Sequence, residues 1–338
     1  MTIKDLARET GYSVGTVSRV LNNHPNVSEK ARREITAAVE RSGFARNENA
    51  RILKQRHNEG ILVLVKGRKN ELFALILERL QQVFAPTGYS LLIEYFDEND
   101  NEVRHAVRLC GEKKPQGLLF LGGNCANFQA DFNKISIPTV LVTDDASKLD
   151  FPTLSSVTTD DTAAADCAVS YLIACGHRSI GIIGGDFQIS DTSRMRLAGS
   201  LAAMKRAGIE APSAYEHGGY SYEDGYACME RMLRSGNEPT AIFAMSDVQA
   251  IGAIRALREA GKRVPEDVSV CGFDGLLISR YFLPRLTTVC QSGEELAEHS
   301  ARLLLDMIEK HSPARHITVP FRLSKGESVK KYTEKQKA

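Results

Sequence analysis

Short apolar runs alternate with longer stretches of mixed polarity from residue 60 onward. The runs with the length of a strand are GILVLV (60–65), SLLIEYF (90–96), GLLFLG (117–122) and PTVLVT (138–143), followed by SIGIIGG (179–185), AYEHGGY (214–220), TAIFAMS (240–246) and VSVCGFD (268–274). Near-continuous apolar strands that alternate with helices predict parallel sheets covered by helices on both faces. The runs form two series, so the pattern predicts an α/β body of two doubly wound lobes.

Helical patterns fill the gaps between these runs. The predicted helices are Glu71–Phe84, Glu102–Cys110, Thr162–Cys175, Ser193–Ala207, Tyr222–Arg234 and Asp247–Ala260. A last helix, Glu294–Lys310, and strands near 316–323 are expected to cross back between the lobes. In open α/β sheets a ligand lies beyond the carboxyl ends of the strands, so we expect a binding cleft where the two lobes face each other.

The first 43 residues show a different pattern, that of three short helices. In chain order, the signals are a capping pair at Thr2 and Asp5, a turn at Gly11, a cap at Ser13, a stop at Pro25, a cap at Ser28 and a stop at Gly43. A tight turn between the first two of three helices predicts an all-α helix-turn-helix head.

Charge is distributed unevenly between head and body. Residues 1–57 carry eleven Lys/Arg against six Asp/Glu, whereas the remaining residues carry 32 against 36. The head is therefore +5 and the body −4, within a chain of net charge +1. A basic head on an acidic body is typical of a nucleic-acid-binding module with a partner domain, although a solvated charged face gives the same count.

The second predicted helix has two contrasting faces on a wheel of about 100° per residue. Its apolar face carries Thr16, Val17 and Val20, flanked by Leu21, which can pack on Leu6, Ala7 and Ile35. Its other face carries Val14, Gly15, Ser18, Arg19 and Asn22. Because these side chains are small apart from Arg19, the backbone of this face can approach a surface closely.

DNA contact is the chemistry that this face suits. Arg19 can form a bidentate pair with guanine O6 and N7, and Val14 can contact a thymine methyl group. The side chains that can donate to phosphates are Ser13, Thr16, Ser18 and Asn22. The alternative is a small helical bundle whose Arg is merely exposed.

The stretch TIKDLARETGYSVGTVSRVLNNHPNVSEKARREI closely resembles the DNA-binding head of the lactose-repressor (LacI/GalR) family of bacterial transcription factors, and TVSRVLN is among its most specific signatures. The segment GFARNENARILKQR resembles the hinge of that family. The hinge residues that the resemblance implies for DNA binding are Asn47, Ala50, Arg51 and Leu53, in addition to Thr2, Ser13, Val14, Gly15, Thr16, Ser18, Arg19 and Asn22 of the head. It implies a Leu53 pair that wedges into the minor groove, while Arg46 stands where the family usually has Pro.

The resemblance extends through the body, which is similar to a periplasmic-binding-protein-type sensor. It implies an effector site that contains Phe73, Asp144, Arg196, Tyr220, Ser246, Asp247 and Asp274. Each assignment has a structural alternative: Phe73 and Tyr220 can be core aromatics, Asp274 can cap a helix, and Arg196 can form an interlobe salt bridge. Thr143 replaces an Asp of the family pattern and Ser246 replaces an Asn, so a sugar, a modified sugar or another small polar metabolite all remain open.

The expected domains are a helix-turn-helix DNA-binding domain (1–45), a hinge helix (46–58), a two-lobed effector-binding and dimerisation domain (59–330) and a polar tail (331–338). The N-lobe is expected at about 59–158 and 290–318, and the C-lobe at about 159–289 and 319–330. The tail lacks the leucine heptads of a tetramerisation helix, so we expect a homodimer.

Other features narrow the function class. No apolar run reaches the ~18 residues of a membrane span, and the polar start lacks a signal peptide, so a cytoplasmic protein without membrane contact is expected. Seven scattered Cys predict buried thiols rather than metal sites or disulfides, and no cofactor motif appears. We expect His177 to be a surface turn residue, and no catalytic set is evident.

The leading hypothesis is a repressor that binds a pseudo-palindromic operator on double-stranded DNA as a homodimer and responds to a sugar-like effector. The main alternative is a cytosolic solute-binding or sensor protein without a DNA-binding role. The third hypothesis is a metabolic enzyme on a Rossmann-like scaffold. The sequence shows no set of nucleophile, base and orienting group, which argues against it.

Overall fold

The structure is a computed structural model that describes residues 3–21, 27–42, 60–68, 70–98, 100–236 and 238–333. The chain divides into two compact units, Met1–Arg56 and His57–Ala338. Within the described ranges, no helix has the length and apolar character needed to cross a membrane.

The described part of the first unit is helical. Its helices are α1 (Ile3–Thr10), α2 (Val14–Leu21) and α3 (Glu29–Ser42). Ser13 Oγ accepts the Thr16 N–H at 3.1 Å, and Ser28 Oγ accepts the Ala31 N–H at 3.3 Å. Both predicted caps are therefore present, because each hydroxyl accepts an N–H that has no partner inside its helix.

A small apolar core holds the three helices together. Its buried members are Leu6, Ala7, Val17, Val20, Ala31, Ile35 and Ala38. Val17 and Val20 come from the apolar face of α2 and are 0% and 6% exposed. The predicted helix-turn-helix arrangement is confirmed, with the apolar face of α2 turned inward.

The second unit is built from strands and helices in alternation. Its described strands are β1 (Gly60–Lys66), β2 (Ser90–Phe96), β3 (Gly117–Leu121), β4 (Thr139–Val142), β5 (Leu154–Thr159), β6 (Ile180–Gly184), β7 (Ala214–His217), β8 (Ala241–Ala244), β9 (Ser269–Asp274), β10 (Thr287–Cys290), β11 (His316–Val319) and β12 (Arg322–Ser324). Its described α-helices are α4 (Glu71–Phe84), α5 (Glu102–Lys113), α6 (Cys125–Asp131), α7 (Asp161–Ala174), α8 (Asp191–Arg206), α9 (Tyr222–Arg234), α10 (Asp247–Glu259), α11 (Leu277–Tyr281) and α12 (Gly293–Lys310).

The strands form two six-stranded sheets, one in each lobe. The N-lobe sheet has the order β11-β5-β4-β3-β1-β2, and the C-lobe sheet has the order β12-β10-β9-β8-β6-β7. The pairs are parallel, except that β12 runs antiparallel to β10. The predicted pair of doubly wound lobes is confirmed. The last two strands lie in different sheets, so the chain crosses between lobes after β11, as expected.

Burial on both faces explains why the strands are almost entirely apolar. In β1, Ile61 and Val63 pack with residues of α4 and α12, whereas Leu62 and Leu64 pack on the opposite face with Val103 of α5. A central parallel strand therefore has no solvent-facing side on which polar residues could alternate.

His177 corrects one prediction. It is 1% exposed rather than a surface turn residue. Its Nδ1 lies 3.1 Å from Thr240 Oγ1, and its Nε2 lies 3.1 Å from the Lys330 carbonyl oxygen. The prediction is wrong because the chain returns at residue 330 and covers the turn, a contact between positions far apart in sequence. Burial lowers the pKa of His177.

Candidate DNA-binding and effector sites

The outward face of α2 carries the predicted reading residues. Val14 is 43% exposed, and Gly15 and Arg19 are exposed as well. Thr16 and Ser18 are half-buried at the flanks of the helix. The face is narrow because short side chains surround Arg19, which is the shape that lets a helix enter the major groove.

The turn before α2 is tied to α3. The Tyr12 hydroxyl donates to Glu34 Oε2 at 2.7 Å, and this hydrogen bond raises the Tyr12 pKa. Ser13 and Thr16 hydroxyls lie 2.9 Å apart. These contacts fix the start of α2 relative to α3, so its first residues have a defined direction.

The remaining predicted DNA contacts lie outside the described residues. They are Thr2, Asn22, Asn47, Ala50, Arg51 and Leu53, together with Arg46 at the position of the usual hinge Pro. The predicted hinge segment itself lies outside the described residues and stays a prediction, as does most of the polar tail.

A cavity of about 350 Å³ lies between the two lobes. It is lined from the N-lobe by residues at the carboxyl ends of β1, β3 and β4, and from the C-lobe by residues at the carboxyl ends of β6, β7 and β9. Five of the predicted effector residues line it: Phe73, Asp144, Arg196, Tyr220 and Asp274. The cleft therefore lies where parallel α/β sheets place a ligand.

Ser246 and Asp247 do not line this cavity, which corrects their assignment. Ser246 caps α10 through the Gln249 N–H. Asp247 is fully buried, and its carboxylate accepts the Leu276 N–H at 2.7 Å and the Thr288 hydroxyl at 2.5 Å. Burial raises its pKa well above the usual range. The Ser246 side chain therefore caps α10, and the Asp247 side chain holds the turn after β9.

Arg196 is 5% exposed and bridges several elements of the C-lobe. Its Nε donates to Asp161 Oδ1 at 2.7 Å and its Nη1 donates to the Met245 carbonyl oxygen at 2.5 Å. The guanidinium carbon also lies 3.7 Å from the centroid of the Phe273 ring. Burial disfavours its charge, but the carboxylates of Asp161 and Asp274 outweigh this effect and raise its pKa.

Asp274 ends β9 with a backbone φ of 106°, in the region that favours glycine. Its Oδ1 accepts the Gln291 side-chain amide at 2.8 Å and lies 3.9 Å from Arg196 Nη2. Burial raises the pKa of Asp274 to about 6, although Arg196 and Gln291 act in the opposite direction. Thr143, at the end of β4, has a φ of 79°. Strained backbone at both strand ends is a common feature of ligand sites.

Asp144 is the carboxylate that the N-lobe contributes. Its Oδ2 accepts the Gly123 N–H at 3.0 Å, and its Oδ1 accepts the Thr192 hydroxyl of the C-lobe at 3.0 Å. Burial raises its pKa to about 7, while the Thr192 hydrogen bond lowers it. Asp144, which directly follows the Thr143 that replaces the family Asp, therefore lines the cavity as predicted.

The two aromatic residues serve both the core and the cavity. Phe73 is 8% exposed and belongs to the N-lobe core, and a Cβ atom at Gly122 would lie 2.9 Å from its ring. Tyr220 is half-buried against the C-lobe core, and its hydroxyl lies 2.7 Å from Ser193 Oγ. Each ring also lines the cavity, so both residues are core aromatics and cavity residues at the same time.

Sequence reasoning missed several residues around the cavity. The missed lining residues include Lys66, Asn70, Glu98, Thr192 and Gln291, with Asp161 behind Arg196. Lys66 ends β1, so a strand-end position was the available signal for it, whereas Gln291 follows β10, which the pattern did not show. Asp161 follows β5, a strand that the pattern did not show.

Hydrogen bonds connect the lobes on two sides of the cavity. At one side the Cys125 N–H donates to Asp191 Oδ2 at 2.7 Å, and the Asn124 amide donates to the Ile189 carbonyl oxygen at 2.8 Å. At the other side the Tyr222 hydroxyl donates to Glu71 Oε1 at 2.7 Å. Two separated points of contact can resist both opening and twisting of one lobe against the other.

In the part of the chain that the structure describes, no group of three or more His, Cys, Asp or Glu residues has the arrangement of a metal site. The cavity chemistry is carboxylate, hydroxyl, amide and aromatic. These groups form hydrogen bonds to hydroxyl-rich ligands and pack against the apolar faces of sugar rings.

Comparison with known proteins assigns a domain family to the head and to a large part of the body. Residues 2–47 match the bacterial regulatory proteins of the lacI family, and residues 169–329 match the periplasmic binding protein-like domain. The HTH-type transcriptional regulator MalR of Clostridium butyricum is 35% identical over 334 residues, which cover 97% of this chain and 99% of that protein.

Two solved structures extend the comparison to the fold. The lac repressor dimer bound to operator and the anti-inducer ONPF has a TM-score of 0.83 and 26% identity, covering 98% of this chain and 99% of that one. The complex of the transcriptional regulator CelR with cellobiose has a TM-score of 0.71 and 27% identity, covering 97% of this chain and 99% of that one.

Proposed function

The chain belongs to the LacI family of bacterial regulatory proteins, and from this premise we propose that it represses transcription as a homodimer on an inverted-repeat operator, under the control of a sugar-like effector. Proteins of this family are DNA-binding transcriptional regulators that respond to small molecules, and they are not enzymes. The predicted domain ranges, from the head at 1–45 to the tail at 331–338, are part of this proposal.

One observation carries the proposal: the same chain has an exposed, narrow α2 and an interlobe cavity lined by five of the predicted effector residues. A solute-binding protein needs only the cavity. A DNA-binding protein without an effector needs only the helix. Their combination supports a regulator whose DNA affinity depends on a ligand, with Arg19, Val14 and Gly15 as the proposed readers of base edges.

An exposed apolar patch on the C-lobe supports the homodimer. Leu277, Tyr281 and Leu283 lie on and just after α11 and are 60%, 76% and 73% exposed. Monomeric proteins seldom leave large apolar side chains clustered in solvent, because burying them releases free energy. The lac repressor dimer, whose structure this chain resembles, provides the precedent for a second copy as the occupant.

Cavity chemistry supports a sugar-like effector. Asp144, Asp274 and Gln291 offer hydrogen-bonding groups, and the rings of Phe73 and Tyr220 offer apolar surface. The structural similarity to the CelR complex with cellobiose supports the same class of ligand. We propose that this molecule changes the balance between the interlobe contacts and thereby the operator affinity. A coupling of about 1–3 kcal/mol is sufficient for such regulation.

A salt titration of DNA binding tests the regulatory function. Fluorescence anisotropy of the full-length protein on a labelled duplex is measured at rising salt concentration. A regulator that neutralises several phosphates loses affinity steeply with salt, because condensed counterions are released on binding. A protein that fails to bind duplex DNA even at low salt, while remaining folded, contradicts the proposed function and supports the solute-binding alternative.

A further inference from the structure

The interlobe cavity is rich in carboxylates. Its charged lining residues are the cations Lys66 and Arg196 and the acids Glu98, Asp144, Asp186 and Asp274. Glu102 and Asp161 stand directly behind the two cations. Together the six acidic groups exceed the two cationic groups by four, and His217 and Tyr220 are the other titratable side chains that line the cavity.

Both cations are already paired with acids. Arg196 Nε donates to Asp161 at 2.7 Å, and its Nη2 lies 3.9 Å from Asp274. Lys66 Nζ lies 3.6 Å from Glu102 Oε2, and Glu102 is fully buried. An anionic ligand therefore finds cations whose charge is largely compensated, within a cavity that is net acidic.

Two of the cavity carboxylates can still interact with a ligand. Asp274 is 91% buried and lines the cavity, and its Oδ2 accepts no hydrogen bond from any residue that the structure describes. Asp144 accepts hydrogen bonds from neutral donors, the Gly123 N–H and the hydroxyls of Thr143 and Thr192. Neither carboxylate has a full counter-charge, which is costly for buried acids.

We propose that the effector of this cavity is a polyhydroxylated compound with a protonated amine, such as an amino sugar, whose ammonium group faces Asp274 and Asp144. This inference rests on the proposed role of the cavity as the effector site. The ammonium supplies the missing counter-charge, whereas the hydroxyl groups use Gln291 and the other polar lining residues. Phosphorylated and carboxylated sugars are excluded by repulsion from the acids.

Proton release gives the proposal a specific signature. The ionisable groups that interact with Asp144 include Asp161, Asp191, Lys66 and the Cys125 thiol, and those that interact with Asp274 include Arg196, Asp161, Glu71 and Asp247. Burial raises the pKa of Asp144 to about 7 and that of Asp274 to about 6, so both are partly protonated near pH 6.5. A bound ammonium favours the ionised forms, and the displaced protons pass to the buffer.

Isothermal titration calorimetry on the full-length protein tests this inference. The probes are glucosamine, galactosamine and mannosamine, each compared with its parent hexose, together with glucose 6-phosphate. We expect at least one amino sugar to bind tenfold or more tightly than its parent hexose, and glucose 6-phosphate not to bind. At pH 6.5 the heat of binding should change with the ionisation enthalpy of the buffer, as proton release requires.

A matched pair of variants assigns the effect to the cavity. Asp274→Asn should abolish the preference for the amino sugar. Asp160→Asn is the control, because Asp160 is an exposed acid beside Asp161 that caps α7, and Asn is an equally good cap. This control should keep the preference. Equal loss in both variants overturns the assignment to Asp274.

The outcomes separate this inference from the proposed function. The proposed amine is wrong if a parent hexose binds as tightly as its amino analogue, or if glucose 6-phosphate binds more tightly than the amino sugars. Either result still leaves a regulator that responds to a sugar. If none of the probes binds, the amine and the sugar-like effector are both overturned. Salt-dependent DNA binding of the same preparation shows in each case whether the DNA-binding function stands.

Discussion

Arg19 is the single charged residue of α2 and projects from its exposed face, beside Val14 and Gly15. If it pairs with a guanine, Arg19→Ala should lose about 1–3 kcal/mol of discrimination at one base pair of each half-site. Arg19→Lys is the matched variant, since it keeps the charge but loses the bidentate geometry. Competition binding with operators that each carry one base change measures this loss of discrimination. Equal weakening on all sequences would make Arg19 a phosphate contact.

Asp144 links stability to pH. Its pKa is about 7 in the folded protein, above the unfolded value of about 4. The folded state therefore binds more protons, so stability is lost as the pH rises from the unfolded pKa to the folded one. The slope reaches up to about 1.4 kcal/mol per pH unit for each such group. Together, Asp144 and Asp274 should lower the melting temperature of the body between pH 5 and pH 7, because Asp274 acts in the same direction below its own pKa of about 6.

Asp144→Asn tests this linkage, since a neutral amide cannot titrate. The variant should show a smaller decrease of melting temperature from pH 5 to pH 7 than the parent protein. Differential scanning calorimetry in buffers of matched ionic strength is the measurement. An unchanged pH dependence in the variant would show that Asp144 titrates in the folded protein much as it does in the unfolded chain.

Residue identities could be predicted better than side-chain directions. Arg196 and Asp274 follow from the family pattern, and both reach the cavity. Asp247 also matches the pattern, but its carboxylate bonds to the Leu276 N–H and to Thr288, which are 29 and 41 residues away in sequence. Such partners are brought together by the sheet. Sequence pattern alone could not show that this carboxylate is turned away from the cavity.

At the scale of an element, α2 depends on its cap. Ser13 Oγ accepts the Thr16 N–H, which otherwise has no helical partner. Ser13→Ala should destabilise the head by about 0.5–2 kcal/mol, whereas Ser13→Asn should retain most of the stability. Helical circular dichroism of the full-length protein during thermal unfolding measures this effect. If the three proteins have the same melting curve, the Ser13 cap does not contribute to the stability of α2.

Apolar periodicity predicted most elements but missed β5. Four of the six residues in its sequence, LSSVTT, carry a hydroxyl group, yet every residue of the strand is buried. Three of the four hydroxyls have partners: Ser156 Oγ accepts the Ala146 N–H, Ser155 Oγ accepts the Arg315 N–H, and Thr158 Oγ1 donates to the Thr143 carbonyl oxygen. A strand next to the sheet edge can bury polar side chains when neighbouring loops satisfy them. The strand β10, TTVC, was missed because two of its four residues are Thr and the apolar run is only two residues long.

At the scale of the whole molecule, assembly should depend on the exposed patch after β9. Tyr281→Asp places a charge where we propose that a second copy binds, so the variant should sediment as a monomer. Leu201→Asp is the control, since Leu201 is 38% exposed on α8, outside the patch. Analytical ultracentrifugation distinguishes the two states. A dimeric Tyr281→Asp variant would place the interface elsewhere.

Two-fold assembly and base reading together predict the form of the operator. A dimer related by a two-fold axis presents its α2 helices as a symmetric pair, so the bound sequence should be an inverted repeat. Selection of tightly bound duplexes from a random-sequence library by the full-length protein is the most direct test. We predict enrichment of two half-sites related by a dyad, each with a guanine whose selection disappears in Arg19→Ala. Recovery of no common sequence, or of an unpaired single site, would contradict the central claim.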